Sequence, residues 1–421
     1  MQRSQMRPQK RITRSTVFAL LLASCALLLL RASPVALAAS SPLCSPQAFA
    51  LYPGANPSTT SFNSLNAIAA SASNDVWAVG SYGDDTTGAV QTLAEHYTGS
   101  AWSVVASPSP AAYANGLSGI SLLSATNIWA VGYQQSGFSD PSTSLVEHWD
   151  GASWSVIPSA NDPTTGSSTT LYAVSAISAS DVWAVGFSAP TAGPTAPFIE
   201  HWDGSSWSIV PGADLGSQGG DLAGIAAVSS TDVWAVGQAE DTQTFALTPL
   251  VEHWDGSAWS VVSTPSIDSG VLYAVTALSS TNVWAVGEFA GLPETLIEHW
   301  DGTAWSVVPS PNVNAGTFVN QLLDIAADSA SDIWAVGGYS DSTSASSFTL
   351  VLHWNGTAWS IVPSANENTQ PGSNPDDSLQ GVVALAPTQV WAVGSTSPQV
   401  AVGETVVEHA IKNPTRLMCP R

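Results

Sequence analysis

Hydrophobic positions along the chain come in short alternating bursts separated by Ser, Asp, Asn, Gly and Pro, and no helical or heptad periodicity competes with them. That is the pattern of strands joined by turns. One burst, of the form Asp-Val-Trp-Ala-Val-Gly, recurs seven times with its tryptophan at Trp77, Trp129, Trp183, Trp234, Trp284, Trp334 and Trp391, at intervals of 50 to 57 residues. Each copy reads as four strands. In the third they are expected at Leu171 to Ile177, Val182 to Val185, Phe198 to Trp202 and Trp207 to Val210.

The turns carry their own chemistry. Between the first two strands of that copy lies Ser178-Ala179-Ser180-Asp181, with Asn127, Asn282 or Gln389 at the last position elsewhere. Exchange of Asp for an amide keeps an acceptor oxygen and discards the charge, so a hydrogen-bonded turn is expected there rather than a catalytic carboxylate. The third and fourth strands are joined by Asp203-Gly204, or Asn355-Gly356 in the sixth copy, dipeptides that tolerate positive φ.

A repeat of this length fits a propeller blade. The expected fold is all-β, a seven-bladed β-propeller of four-stranded antiparallel blades. An apolar strand ending in Gly, a variable loop, a strand ending in an aromatic, a turn and a Trp resemble the kelch repeat, shared with the propeller of galactose oxidase. The resemblance covers Phe49 to Ile411, although the kelch double glycine occurs only at Gly337-Gly338. It implies a fold more than a function, since kelch propellers serve both as protein-binding modules and as oxidases.

The seventh copy supplies Leu379 to Leu385, Val390 to Val393 and Val406 to Ile411 but ends without a Trp-Ser-Val-Val strand. Phe49-Ala50-Leu51-Tyr52-Pro53-Gly54-Ala55-Asn56 matches Trp305 to Asn312 in pattern, so this N-terminal strand is expected to complete the last blade and close the ring. Closure would bring the chain ends together and predicts a disulfide between Cys44 and Cys419. The organisation expected is a signal peptide at 1–38, an N-terminal segment with the closing strand at 39–62, the repeats at 63–411 and a tail at 412–421.

The signal peptide rests on a basic stretch from Arg3 to Arg14, an apolar run from Val17 to Leu30, too short to span a bilayer, and Ala36-Leu37-Ala38 ahead of Ala39. Leu22-Ala23-Ser24-Cys25 offers the alternative of a lipid anchor on Cys25. Between Ala32 and Ile411 there is no Lys or Arg, and removing the leader takes six positive charges from a net of −23, leaving −29. So acidic a body repels nucleic acid and anionic membrane surfaces.

Composition also restricts chemistry. All seven histidines, His96, His148, His201, His253, His299, His353 and His409, fall at one repeat position, usually after Glu. Third strands of neighbouring blades stand too far apart for zinc ligation, so the Glu-His pairs are read as interblade hydrogen-bond elements and no metal site is expected. The eighteen tryptophans likewise distribute over repeat positions as packing. No histidine is left to serve as a dedicated base, and no cysteine lies between Cys44 and Cys419 to build a copper-oxidase cofactor. Carboxylate-pair chemistry survives: Asp84, Asp85, Asp140, Asp162, Asp214, Glu240, Asp241, Asp268, Asp341, Asp376 and Asp377 are candidate loop acids for a glycoside hydrolase or a calcium-dependent adhesin.

One face should carry every variable loop and is the expected binding face. Its aromatics include Tyr82, Tyr133, Phe138, Phe187, Phe245, Phe289 and Tyr339. Nearest the axis, the first strands offer Asn66, Ser118, Tyr172, Ala223, Tyr273, Leu323 and Gln380 at one variable position. The ligand contacts expected are Asn66, Tyr172, Tyr273 and Gln380 at the axis and Tyr82, Tyr133 and Tyr339 in the loops. The expected function is a secreted or cell-surface, non-enzymatic, monomeric binding module for a glycan or an extracellular protein, without a cofactor.

Overall fold

The computed structural model describes residues 47–164, 166–267, 269–313, 318–341, 346–366, 376–396 and 404–412. The signal segment, Cys25 and the proposed Cys44–Cys419 disulfide lie outside the described residues. Within them the chain forms twenty-eight strands and no helix.

The first strand, β1 (Gln47–Leu51), is followed by six consecutive antiparallel blades. Blade 1 holds β2 (Asn63–Ala72), β3 (Asp75–Gly83), β4 (Val90–Tyr97) and β5 (Trp102–Val104), and blade 2 holds β6 (Ala114–Ser124), β7 (Asn127–Gln135), β8 (Thr143–Trp149) and β9 (Trp154–Val156). Blade 3 holds β10 (Ser168–Ser178), β11 (Asp181–Ala189), β12 (Ala196–Trp202) and β13 (Trp207–Ile209), and blade 4 holds β14 (Gly219–Ser229), β15 (Asp232–Glu240), β16 (Leu247–Trp254) and β17 (Trp259–Val261). Blade 5 holds β18 (Val271–Ser279), β19 (Asn282–Glu288), β20 (Thr295–Trp300) and β21 (Trp305–Val307), and blade 6 holds β22 (Phe318–Ser329), β23 (Asp332–Asp341), β24 (Ser346–Trp354) and β25 (Trp359–Ile361). Blade 7 takes β26 (Asp377–Ala386), β27 (Gln389–Thr396) and β28 (Glu404–Lys412) from the C-terminal end and β1 from the N-terminal end, β1 pairing antiparallel with β28 from Gln47 opposite Lys412 to Leu51 opposite Glu408.

The closing strand therefore lies where the sequence places it, and its details repeat those of the continuous blades. Thr405 N–H donates to Asn56 Oδ1 at 2.8 Å, as Thr295 N–H does to Asn312 at 2.8 Å and Thr349 N–H to Asn366 at 2.7 Å. The core sits between blades. Six of the seven second-strand tryptophans pack on the third- and fourth-strand aromatics of the next blade: Trp183 lies 5.0 Å from Trp254 and 5.5 Å from Trp259, ring centre to ring centre. The ring closes in the same way, with Trp391 of blade 7 at 4.8 Å from Tyr97 and 5.7 Å from Trp102 of blade 1. These offset and edge-on pairs add specific geometry to the large apolar area each indole buries.

The Glu-His element divides in two. Glu95, Glu147, Glu200, Glu252, Glu298 and Glu408 are fully buried, and several bond across the seam to the segment that follows the preceding blade's outer strand. Ser107 Oγ donates to Glu147 at 2.6 Å and Ala213 N–H to Glu252 at 2.9 Å. Burial pushes Glu95, Glu147 and Glu200 up to about 8 and Glu252 and Glu298 up to about 7. The histidines, contrary to expectation, act within their own blades. His201 Nε2 donates to Asp181 Oδ1 at 2.8 Å while its ring packs on Trp183 at 4.2 Å.

The turn carboxylate thus holds the histidine. The backbone of that turn is held instead by Ser178 Oγ, which accepts from Ser180 N–H. In the outer turns, Asp203 Oδ1 accepts from Ser205 and Ser206 N–H at 2.8 and 2.9 Å, and Gly204 has φ +95°.

Candidate binding site

Every innermost strand carries a β-bulge at the same place. Register shifts fall between Leu65 and Ala67, Leu117 and Gly119, Leu171 and Ala173, Leu222 and Gly224, Leu272 and Ala274, Leu322 and Asp324, and Leu379 and Gly381. The extra residue is in turn Asn66, Ser118, Tyr172, Ala223, Tyr273, Leu323 and Gln380. A bulge re-aims the residue it inserts, and all seven line one cavity of about 230 Å³ at the inner strands.

The motif glycine explains why the bulge is tolerated. Gly80, Gly132, Gly186, Gly237, Gly287, Gly337 and Gly394 stand opposite the bulges, and a Cβ on any of them would overlap the carbonyl oxygen of the innermost strand, that of Thr170 in blade 3 and of Ser378 in blade 7. None of them has positive φ. What these positions require is close backbone approach, so the glycine of Ala-Val-Gly marks the axial bulge rather than a turn.

Around the cavity the expected residues are held individually. Asn66 Nδ2 donates to Leu117 O of the next blade at 2.8 Å, and Gln380 Nε2 to Ser378 Oγ at 2.9 Å. Tyr273 OH donates to Glu288 Oε1 at 2.9 Å, and the Tyr172 ring packs on Phe187 at 5.5 Å. Burial raises the Glu288 carboxyl above its usual range. The cavity thus brings together Asn66, Tyr172, Tyr273 and Gln380. It does not include Tyr82, Tyr133 or Tyr339.

Those three belong to strands rather than loops, because β3, β7 and β23 run further than the apolar pattern indicated. Tyr82 pairs with Asn63, Tyr133 packs on Gly116, and Tyr339 stacks on Phe348 at 5.2 Å. Phe187 is likewise in β11. Phe138 and Phe245 do sit in loops and are 80% and 71% exposed, Phe245 with φ +59°.

Of the candidate loop acids, Glu240, Asp341 and Asp377 stand in β15, β23 and β26; Asp84, Asp214 and Asp241 are engaged in their own turns, and Asp85 bonds across to the segment before β2. Asp84 accepts from Thr86 and Thr87 N–H, Asp241 from Gln243 and Thr244 N–H, Asp214 from Gly216 N–H, and Asp85 from Thr59 N–H and Ser58 Oγ. These bonds hold the Asp84, Asp85 and Asp241 carboxyls below the usual range. Asp268 lies outside the described residues. Among the described residues no group of three or more His, Cys, Asp or Glu could hold a metal ion.

Two features escaped sequence reasoning. Buried Asn63, Asn115 and Asn320, near the starts of the innermost strands, pin the interblade loops: Asn115 Oδ1 accepts from Ala111 N–H at 2.9 Å and its Nδ2 donates to Ala111 O at 2.8 Å. Their recurrence ahead of the apolar run in three copies was a usable signal. The other is Asp324, which lines the cavity.

A ring of four-stranded antiparallel blades closed by the N-terminal strand settles the architecture. The chain is a β-propeller. Solved propellers share the fold at low identity. YCF48 bound to D1 peptide is 14% identical, with a TM-score of 0.51 over 88% of this chain and 99% of that one. U3-55K and the WD40 repeats of RRP9 are each 8% identical, with a TM-score of 0.52 over 86% of this chain and 98% of theirs. No family model and no curated protein matches this propeller's sequence.

Proposed function

We infer that this propeller is a non-enzymatic binding or scaffolding module of kelch-like type, which takes a glycan or an extracellular protein on its variable-loop face, centred on the axial cavity. One observation carries the reading. The framework repeats nearly unchanged from blade to blade, whereas the seven bulges aim Asn, Ser, Tyr, Ala, Tyr, Leu and Gln into a single cavity. Variation confined to a convergent cavity of polar and aromatic groups suits recognition. YCF48, a propeller whose structure was solved with a peptide, makes a peptide ligand reasonable for the fold.

Hydrolysis is less well supported, because among the described residues Asp324 is the one carboxylate lining the cavity and glycoside hydrolysis uses two. The calcium-dependent reading loses support from the turn bonds of the loop acids. The basic and apolar N-terminal stretch supports secretion, and the net charge of −23 disfavours nucleic acid and anionic membrane as partners. On this reading the protein is a monomer.

The test is binding of the secreted protein to glycan and extracellular-peptide arrays, alongside Tyr172→Ala and Tyr273→Ala. Retained spots that weaken at least tenfold in either variant are expected. Array ligands that bind both variants as well as the parent would remove the cavity from the reading, and an N-terminus other than Ala39 on secreted protein would revise the leader.

A further inference from the structure

The residue after each bulge is small in six blades: Ala67, Gly119, Ala173, Gly224, Ala274 and Gly381. The reason is the seam between neighbouring innermost strands. A Cβ on Gly119 would lie 2.8 Å from Tyr172 O, one on Gly224 2.9 Å from Ala274 Cα, and one on Gly381 3.1 Å from Ala67 Cα. Blade 6 departs from this rule and places Asp324 in the seam. Its Oδ2 accepts from Val382 N–H of blade 7 at 2.7 Å and its Oδ1 from Ile325 N–H at 2.9 Å.

One bond to each oxygen fixes the carboxylate and leaves acceptor capacity on both. No Lys or Arg occurs between Ala32 and Ile411, and the histidines belong to the third strands, so among the described residues no cation lines the cavity with this acid. Burial pushes the Asp324 carboxyl up to about 7, so a cation seated beside it would favour the ionised form, and the net charge of −23 disfavours anions at the recess.

The donor set selects among cations. Calcium takes six to eight oxygens and commonly several carboxylates, whereas here one carboxylate stands with side-chain amides and two tyrosines. A primary ammonium has three N–H donors. The Asp324 carboxylate and the amide oxygens of Asn66 and Gln380 can accept them, and Tyr172 and Tyr273 offer aromatic surface that favours a cation. A volume of about 230 Å³ admits one sugar ring or the end of one side chain.

We propose that the axial cavity binds a ligand through a protonated primary amine, with Asp324 as its anionic partner. This rests on the cavity being the ligand site. An amino sugar and a lysine side chain carry the same group, and the arms of the test separate them.

Calorimetric titration of the whole mature protein with glucosamine and with Nα-acetyl-lysine methylamide is compared with N-acetylglucosamine, the Nε-acetylated lysine derivative and glucuronate. At least one amine is expected to bind, with its acetylated form and glucuronate weaker by roughly tenfold or more, equivalent to ~1.4 kcal/mol. Binding of glucosamine alone assigns an amino sugar, and binding of the lysine derivative alone assigns a polypeptide side chain. Asp324→Ala carries the residue of three sister blades and should weaken the amine by a similar factor, with Asp324→Asn as the isosteric control and the melting curve as the check on folding. The ammonium proposal is overturned if neither amine binds, if the acetylated forms bind as well, or if both variants bind unchanged. If array ligands remain sensitive to Tyr172→Ala or Tyr273→Ala in that event, the binding-module reading stands without it.

Discussion

Six blades are folded from continuous stretches of chain, and the seventh is assembled from the two ends of the sequence, yet the geometry differs little. Asn56 reaches Thr405 as Asn312 reaches Thr295, and Trp391 meets the aromatics of blade 1 as Trp183 meets those of blade 4. The difference lies in packing. In the continuous blades that follow blade 1, the preceding tryptophan meets two indoles, whereas Trp334 meets Phe49 at 5.5 Å with Ala410 where the third strand elsewhere ends in Trp or Tyr. Covalent continuity is therefore replaceable by complementary packing. The seam so formed has less aromatic surface, and it should be the place where the ring opens.

The comparison can be broken most forcefully by deleting residues 1–56, which removes β1, Phe49, Ala55 and Asn56 together and bares the edge of β28. Loss of a single cooperative melt and a gain in self-association are expected; a cooperative melt at the parent temperature would show that closure contributes nothing. A smaller cut is Phe49→Ala. Phe49 is 3% exposed against Trp334, and truncation should cost about 3–5 kcal/mol in denaturant unfolding. A cost under 1 kcal/mol would mean that the seam is already loose.

A third test concerns the buried glutamates, which every blade carries except blade 6, where Leu352 takes the place. Below about 4.5 these carboxyls are neutral in both folded and unfolded chains. Between there and about 8 the unfolded chain releases its protons first, so stability is fully present at the acidic end and falls as pH rises. The outer-turn Asp203, Asp255 and Asp301, held at about 2, act in the opposite sense and lose their contribution as pH falls through the acid range. Melting temperature should peak near pH 4 to 5, about where the two trends cross, and decline to pH 8.

Glu298→Leu sharpens this, since neither Glu298 oxygen has a hydrogen-bond partner among the described residues. The variant, made in the image of Leu352, should be more stable than the parent, and more so at pH 8 than at pH 5. Destabilisation at both pH values would show that the carboxyl has a partner. The smallest effect is expected from Asn56→Ala, which should cost about 1 kcal/mol, like Asn312→Ala; a clear inequality would show that the closing joint is not equivalent to the others.

Much of this architecture was legible because it rests on repetition. Seven Trp-Ala-Val-Gly bursts, the Asp-Gly turns and a missing outer strand matched by Phe49 to Asn56 are local or periodic signals, and they led to blade number and closure. The ring position of Asn66, Tyr172, Tyr273 and Gln380 was also legible, since variation at one register of an otherwise constant strand stands out. The tyrosines at 82, 133 and 339 were misplaced because polar residues such as Ser81 and Ser340 interrupt the apolar pattern while the backbone pairing continues through them.

The order of strands, the identity of the packing residues and the sign of the surface charge follow from the amino acids themselves, because alternation, turn chemistry and composition act over a few residues at a time. Tertiary structure alone decided the rest. Only strand pairing shows why Ala-Val-Gly ends in glycine, since the clash that demands it comes from a carbonyl of the innermost strand paired beside it. Only burial raises the glutamates, since desolvation depends on what the next blade covers. And only convergence of seven strands on one axis sets Asp324, Tyr172 and Tyr273 around one cavity, residues from different blades that no local pattern relates.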